Sequence, residues 1–155
     1  MVARSREAKL LGIKMGVPVF QIKAEMQRHG ILAFSSNYAL YADLSSRVMR
    51  TLEEMAPRVE VYSIDEAFLD LTGIESAISL VEFGQQVQER IGHWIGITVC
   101  VGIAPTKTLA KLANHAAKKY PATQGVVDLT NPDRQRRLLA LVPVDDVWGV
   151  GRRLS

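Results

Sequence analysis

Two adjacent acids, Asp65 and Glu66, limit the fold of this chain more than any other feature, because they interrupt a strand-like run at residues 59–72. Alternate residues of the run are apolar and predict the buried side of a sheet: Val59, Val61, Ala67, Leu69 and Leu71. Carboxylates inside such a pattern repel one another and lose hydration unless a cation or a hydrogen-bond donor compensates them. One interpretation is a Mg²⁺ ion bound by both acids and by phosphate oxygens. The other is a hairpin turn at which the acids face water.

The eight residues 63–70, Ser-Ile-Asp-Glu-Ala-Phe-Leu-Asp, resemble the palm motif of the Y-family DNA polymerases, low-fidelity enzymes that copy damaged templates. The similarity runs along nearly all of the chain and is greatest to the UmuC branch of the family and its plasmid-borne relatives. It implies that Asp65 and Glu66 are catalytic residues that bind Mg²⁺. It also implies template-directed nucleotidyl transfer past damaged DNA, as in SOS mutagenesis and DNA repair.

Charge is distributed unevenly along the 155 residues. Residues 1–50 carry eight Lys/Arg and three Asp/Glu, residues 51–100 carry two and nine, and residues 101–155 carry nine and four. An acidic middle between basic ends suits a protein that binds a cation centrally and phosphates around it, although solvated surfaces also show such blocks. The chain has neither an apolar run of membrane-span length nor the apolar core of a signal peptide at its start. We therefore expect a cytoplasmic protein that does not contact a membrane.

Residues 4–11 predict a short helix with a basic outer side. In Y-family enzymes the matching segment belongs to the fingers and contacts the incoming nucleotide. The resemblance therefore implies that Lys9 binds the triphosphate, with assistance from Arg4 or Arg6. Lys9 replaces a family Arg and lacks its planar, two-pronged contact, and Arg6 stands where many members have Tyr. A solvated basic helix face is the alternative.

A second basic helix is predicted to begin after Thr106, a favourable cap. Lys107, Lys111 and Lys118, here called the lysine stripe, fall within about 40° of one another on a helical projection. Four apolar residues occupy the opposite side: Leu109, Leu112, Ala113 and Ala116. A solvated stripe is the alternative interpretation. The family resemblance implies instead that this helix packs behind the metal site, that Lys118 contacts the triphosphate, and that Lys111 is a supporting charge.

The remaining pattern predicts an α+β fold. Helices are indicated at residues 18–30, 37–55 and 80–91 and after Asn131 or Asp133, and strands at residues 96–102 and 125–129. In the first of these helices we expect Phe20, Ile22 and Met26 to face inward. This order is that of a polymerase palm, a mostly antiparallel sheet with helices on one face. The resemblance divides the chain into partial helical fingers (1–37), an incomplete palm (38–130) and the start of a helix-hairpin-helix thumb (131–155).

Residues 144–153 resemble the opening of the thumb, where a hairpin between two helices offers backbone N–H groups to DNA phosphates. Gly149 and Gly151 are expected to permit close approach of the backbone, and Arg152 and Arg153 add positive charge.

In Y-family enzymes, a strand before the matched segment carries the first metal-binding Asp and an aromatic side chain that excludes ribonucleotides. No acid precedes Glu7 in this chain. Because two-metal catalysis needs that ligand, we expect a polymerase fragment with inefficient turnover. One alternative is a truncated remnant that only binds DNA, nucleotide or a partner protein, and another is a nucleotide cyclase or phosphohydrolase on a similar sheet.

The resemblance implies two substrates, primer–template DNA and a deoxynucleoside triphosphate. It also suggests three protein partners: a UmuD-type subunit, a recombinase filament and a sliding clamp.

Overall fold

The computed structural model describes residues 2–150, without the side chain of residue 75. The chain divides into two compact units, Met1–Asn37 and Tyr38–Ser155. The assignment of its parts to fingers, palm and thumb stays a prediction.

The first unit contains two short helices, α1 (Arg6–Leu10) and α2 (Lys23–His29), with a 3₁₀ turn at Val19–Ile22 before α2. Its core consists of Ala8, Ile13 and Ile22. The prediction that Phe20 faces inward is wrong, because its side chain is 70% exposed. The segment begins as a 3₁₀ turn with three residues per turn, so the spacing of an α-helix does not apply to it.

In its described residues, 38–150, the second unit contains four α-helices and four strands. In chain order they are α3 (Tyr38–Met55), β1 (Arg58–Ser63), β2 (Glu66–Asp70), α4 (Leu80–Ile95), β3 (Val101–Ile103), α5 (Lys107–Lys119), β4 (Val126–Asp128) and α6 (Pro132–Leu139). The predicted α+β class is confirmed. The predicted cap of α5 is also confirmed, since Oγ1 of Thr106 accepts a hydrogen bond from the Leu109 N–H at 3.3 Å.

The sheet differs in detail from the expected one. Within residues 2–150 the strands form two separate pairs, β1 with β2 antiparallel and β3 with β4 parallel. The parallel pair also has helices on both faces. Val101 packs with the core between α3 and α4, whereas Val127 packs with the core of α5 and α6. A parallel pair needs this double cover, because its strands are joined by a crossover helix and bury both faces.

The larger apolar core of the second unit lies between α3 and α4 and contacts both strand pairs. Its buried residues are Met49, Leu52, Ala56, Phe83, Val87 and Ile91. Val59, Ala67, Leu69 and Leu71 of the hairpin pack against it, as the alternation predicts. Val61 does not follow the prediction and is 53% exposed, although it pairs with Ala67 in the same register as Val59 with Leu69.

The predicted strand at residues 96–102 is wrong for residues 96–100, since β3 begins only at Val101. The two backbone carbonyl groups just before β3 accept hydrogen bonds from side chains. Gln88 Nε2 donates to Val99 O at 2.9 Å, and Asn114 Nδ2 donates to Cys100 O at 2.6 Å. These carbonyl groups are satisfied by helical side chains instead of a neighbouring strand.

Helix α6 packs on α5. Leu138 and Val142 belong to the same buried core as Leu112 and Ala116. This core joins residues on both sides of Thr130, and the division into palm and thumb there stays a prediction.

Candidate active site

The turn between β1 and β2 presents Asp65 to solvent. Ser63 pairs with Glu66, so Ile64 and Asp65 form the connection between the two strands. The Ser63 hydroxyl donates a hydrogen bond to Oδ1 of Asp65 at 2.7 Å. Asp65 is therefore exposed at a hairpin turn, as the second interpretation of the sequence predicts. Its other carboxylate oxygen, Oδ2, remains available to a ligand from solvent.

Glu66 is the first residue of β2 and is more enclosed than Asp65. Its Oε1 accepts a hydrogen bond from the Lys111 ammonium group, and the two side chains are 32% and 22% exposed. One helical turn earlier, Lys107 Nζ donates to Oε1 of Glu60 at 2.6 Å. Two lysines of the stripe therefore contact acids of the hairpin, and the purely solvated interpretation does not describe them.

An aromatic cluster lies on the same face of the hairpin as Glu60 and Glu66. The Tyr62 ring is 5.7 Å from the Phe68 ring and 5.6 Å from the Trp148 ring. Lys107 Nζ is 5.2 Å from the Phe68 centroid, and Lys111 Nζ is 5.9 Å from the Trp148 centroid. These distances are in the range of cation–π interactions, through which the first turns of α5 contact the aromatic cluster.

This cluster was not predicted from the sequence. The period-2 alternation with Val59 is a signal that places Glu60 and Tyr62 on the face opposite the core. For Trp148 no such signal exists, because residues 147–150 follow no regular period.

The acids and the lysine stripe line one large groove in the second unit. Its volume is about 1520 Å³, and Asp65, Glu66, Lys111 and Lys118 are among its lining residues. A smaller pocket of about 210 Å³ adjoins Glu66, Lys111 and Lys118, with Trp148 at its side. The structure thus brings together the predicted metal ligands and the lysine predicted to contact the triphosphate.

His115 and Asp146 also line the smaller pocket. The Nε2 atom of His115 is buried, lies 3.8 Å from Oδ2 of Asp146 and makes no hydrogen bond among the described residues. The sequence assigned these residues no function.

Asp70, at the other end of β2, has a strongly lowered pKa. The Thr72 hydroxyl and the Thr72 N–H donate to its Oδ1 at 2.6 and 3.0 Å, and the Arg58 guanidinium donates to Oδ2. The Thr72 hydroxyl has the largest effect, and together these donors lower the pKa of Asp70 to about 2. Asp70 is thereby fixed as a structural carboxylate at the end of the hairpin.

The carboxylates of Asp65 and Glu66 fit a hard divalent cation. Both supply oxygen atoms, and Mg²⁺ in proteins commonly uses one or two carboxylates together with water and phosphate oxygens. No cluster of three or more His, Cys, Asp or Glu side chains suited to a metal ion occurs in the described part of the chain.

The basic residues predicted to bind triphosphate from the fingers lie in the first unit. Lys9 is in α1 and exposed, and so is Arg6. Arg4 precedes α1, and its Nη1 is buried without a hydrogen-bond partner within residues 2–150. A buried donor of this kind normally has a partner.

Of the four predicted thumb residues, the structure describes Gly149, which is exposed and has a φ of +89°. This φ favours glycine because it carries no Cβ. Gly151, Arg152 and Arg153 lie outside the described residues.

None of the helices in the described residues combines the length and apolar character that crossing a bilayer requires.

Comparison with known proteins decides the family. The family model described as impB/mucB/samB matches residues 1–115. The chain belongs to the impB/mucB/samB family. It is 62% identical over its whole length to protein UmuC of Salmonella typhimurium and 50% identical over 99% of its length to protein MucB of Escherichia coli. The chain spans 37% and 36% of the lengths of these two proteins.

Solved structures similar to this impB/mucB/samB chain are Y-family DNA polymerases, as the resemblance predicted. The insertion ternary complex of Dbh DNA polymerase matches 96% of the chain with a TM-score of 0.79 and 31% identity. An error-prone DinB-family DNA polymerase from Sulfolobus solfataricus also matches 96%, with a TM-score of 0.76 and 32% identity. The chain covers 42% and 43% of these two structures. The fold is therefore that of the palm and fingers of a Y-family polymerase.

Proposed function

We propose that this chain is the part of an error-prone translesion DNA polymerase that binds Mg²⁺, the incoming deoxynucleoside triphosphate and primer–template DNA. The reaction is template-directed nucleotidyl transfer past damaged bases. The observation that supports it best is the convergence of Asp65, Glu66 and Lys118 on one groove. The similarity to the insertion ternary complex of Dbh DNA polymerase supports the same ligands.

In this reaction the primer 3′-hydroxyl loses its proton to solvent water and its oxygen forms a bond to the α-phosphorus. The bond from that phosphorus to the oxygen bridging to the β-phosphate breaks. Pyrophosphate leaves. A bound Mg²⁺ supplies charge stabilisation for the phosphate oxygens. Within the chain, Asp65 and Glu66 hold that ion, and Lys118 neutralises the triphosphate from the adjacent helix.

Arg4, Arg6 and Lys9 are proposed to bind the triphosphate from the first unit. The buried Nη1 of Arg4, which has no partner among the described residues, supports an anionic ligand there. The positive charges of Arg152 and Arg153, and the close approach of the backbone at Gly149 and Gly151, are proposed to serve DNA phosphate contacts.

A double substitution tests the metal assignment. Asp65→Ala combined with Glu66→Ala removes both carboxylates from the turn, and neither side chain belongs to the apolar core. We expect the Mg²⁺-dependent part of deoxynucleoside triphosphate binding to be lost, while the far-UV circular dichroism spectrum stays unchanged. Fluorescence titration of a labelled nucleotide with and without Mg²⁺ measures the effect.

Glu60→Gln provides the matched control, because Glu60 lies on the same face of the hairpin and pairs with the neighbouring lysine. Its nucleotide binding should remain Mg²⁺-dependent. Unchanged nucleotide binding in the double variant would exclude Asp65 and Glu66 as the metal ligands.

A further inference from the structure

The Lys111 ammonium group donates a hydrogen bond to Oε1 of Glu66, one of the two proposed metal ligands. We propose that Lys111 competes with the divalent cation for Glu66 and thereby sets the cation affinity of the site. This inference rests on the proposed function, because it assumes that Asp65 and Glu66 bind the ion.

Geometry and charge make the two cations competitors. A divalent ion that binds Glu66 uses the same carboxylate as the Lys111 ammonium group, and two cations on one carboxylate repel each other. Glu66 and Lys111 are 32% and 22% exposed, whereas Glu60 and Lys107 are 58% and 50% exposed. Water therefore screens the Lys111 charge less than the Lys107 charge.

Lys111 has a second favourable position when it leaves Glu66. Its Nζ is 5.9 Å from the centroid of the Trp148 ring, and the flexible side chain can approach that ring more closely. Trp148, Lys111 and Lys118 line the same pocket of about 210 Å³. The displaced ammonium group thus remains beside Lys118, where it adds to the positive charge that a triphosphate meets.

Removal of the Lys111 charge distinguishes a residue that competes with the cation from one that positions Glu66 for it, because the two roles change cation affinity in opposite directions. If Lys111 only positioned Glu66 for the ion, its removal would weaken cation binding. Competition predicts the opposite, since removal of the ammonium group leaves Glu66 free and increases the negative charge beside Asp65.

The test measures Mn²⁺ binding to the full chain without nucleotide, by electron paramagnetic resonance of the free ion. Lys111→Met keeps the length of the side chain and removes its charge. We expect its dissociation constant for Mn²⁺ to fall about fivefold, the scale of one partly screened ion pair. Lys111→Gln, a second neutral variant, should behave alike if the Met variant does not fold.

Lys107→Met is the matched control, because it frees Glu60, which is not adjacent to Asp65. Its Mn²⁺ affinity should stay within about twofold of the original value. In a Glu66→Gln background, Lys111→Met should increase Mn²⁺ affinity by less than it does when Glu66 is present, because the competition acts through Glu66.

The outcomes distinguish this inference from the proposed function. Unchanged or weaker Mn²⁺ binding in Lys111→Met, with binding by the unaltered chain, overturns the competition but leaves the metal site standing. Absence of Mn²⁺ binding in both proteins overturns the metal site and the competition together. Binding that appears only in Lys111→Met supports the competition.

Discussion

Asp70 has a charge state that affects stability, because Thr72 and Arg58 donate hydrogen bonds to its carboxylate in the folded chain. Its pKa is about 2, below the ordinary value of 3.8. For a lowered pKa, the stabilising contribution is complete above the unfolded value and disappears as protonation occurs. Asp70 should therefore stabilise the fold fully above about pH 4, and this contribution should be lost as the pH falls towards about 2.

Substitution of Thr72 tests this account. Thr72→Val removes the hydroxyl donor, which has the largest effect, so the pKa of Asp70 should rise towards its ordinary value. Arg58→Met keeps both hydrogen bonds from Thr72 and should raise the pKa less. Carboxyl-detected NMR titration gives both values. An Asp70 that still titrates near pH 2 in Thr72→Val would contradict the assignment.

At the residue scale, the strand-like pattern drew attention to Asp65 and Glu66, because acids are unusual there, and the family resemblance made them candidate metal ligands, which stays a prediction. The sequence did not show that Lys107 and Lys111 contact Glu60 and Glu66, since the paired residues are 47 and 45 positions apart. Such pairs depend on how α5 packs, and no local period encodes that packing.

The contact between β3 and α5 depends on Gly102. A Cβ atom at this position would lie 2.2 Å from the Ala110 carbonyl oxygen and 2.3 Å from the Asn114 backbone nitrogen. Both are backbone atoms that cannot rotate away, so the helix itself would have to move. We expect Gly102→Ala to lower the free energy of unfolding by about 3 kcal/mol, as measured by urea denaturation.

Gly92→Ala is the control for that substitution. Gly92 lies within α4, and a Cβ atom there would meet no atom within 4 Å. Alanine loses less backbone entropy on folding than glycine, so this variant should gain about 0.5–1 kcal/mol. Equal effects of the two substitutions would show that close packing at Gly102 is not the cause.

At the element scale, amphipathic helices were the most predictable part of the fold. The cap and the apolar side of α5 agree with its sequence pattern, because a buried helix face recurs every three to four residues. The strand at residues 96–102 and the inward position of Phe20 were wrong. In both places, local hydrogen bonding or a 3₁₀ turn replaced the regular structure that the periodicity assumed.

The two units of the molecule have cores of different size. Three buried side chains form the core of the first unit, whereas the core between α3 and α4 has six and is flanked by both sheets. Segments with little buried apolar surface open at lower free energy. Backbone amides of α2 should therefore exchange with solvent deuterium faster than those in the middle of α4, as measured by mass spectrometry. Equal protection would indicate that both units open as one.

The groove beside the two strand pairs affects the protein concentration at which binding experiments should be done. In the described residues, β2 pairs with β1 alone and β3 with β4 alone, and the groove beside them is largely lined by apolar side chains. An unpaired strand edge beside apolar surface is a template for a strand of another molecule. The nucleotide and Mn²⁺ titrations should therefore use a low protein concentration. A high concentration favours aggregation, whose signal change would be mistaken for ligand binding.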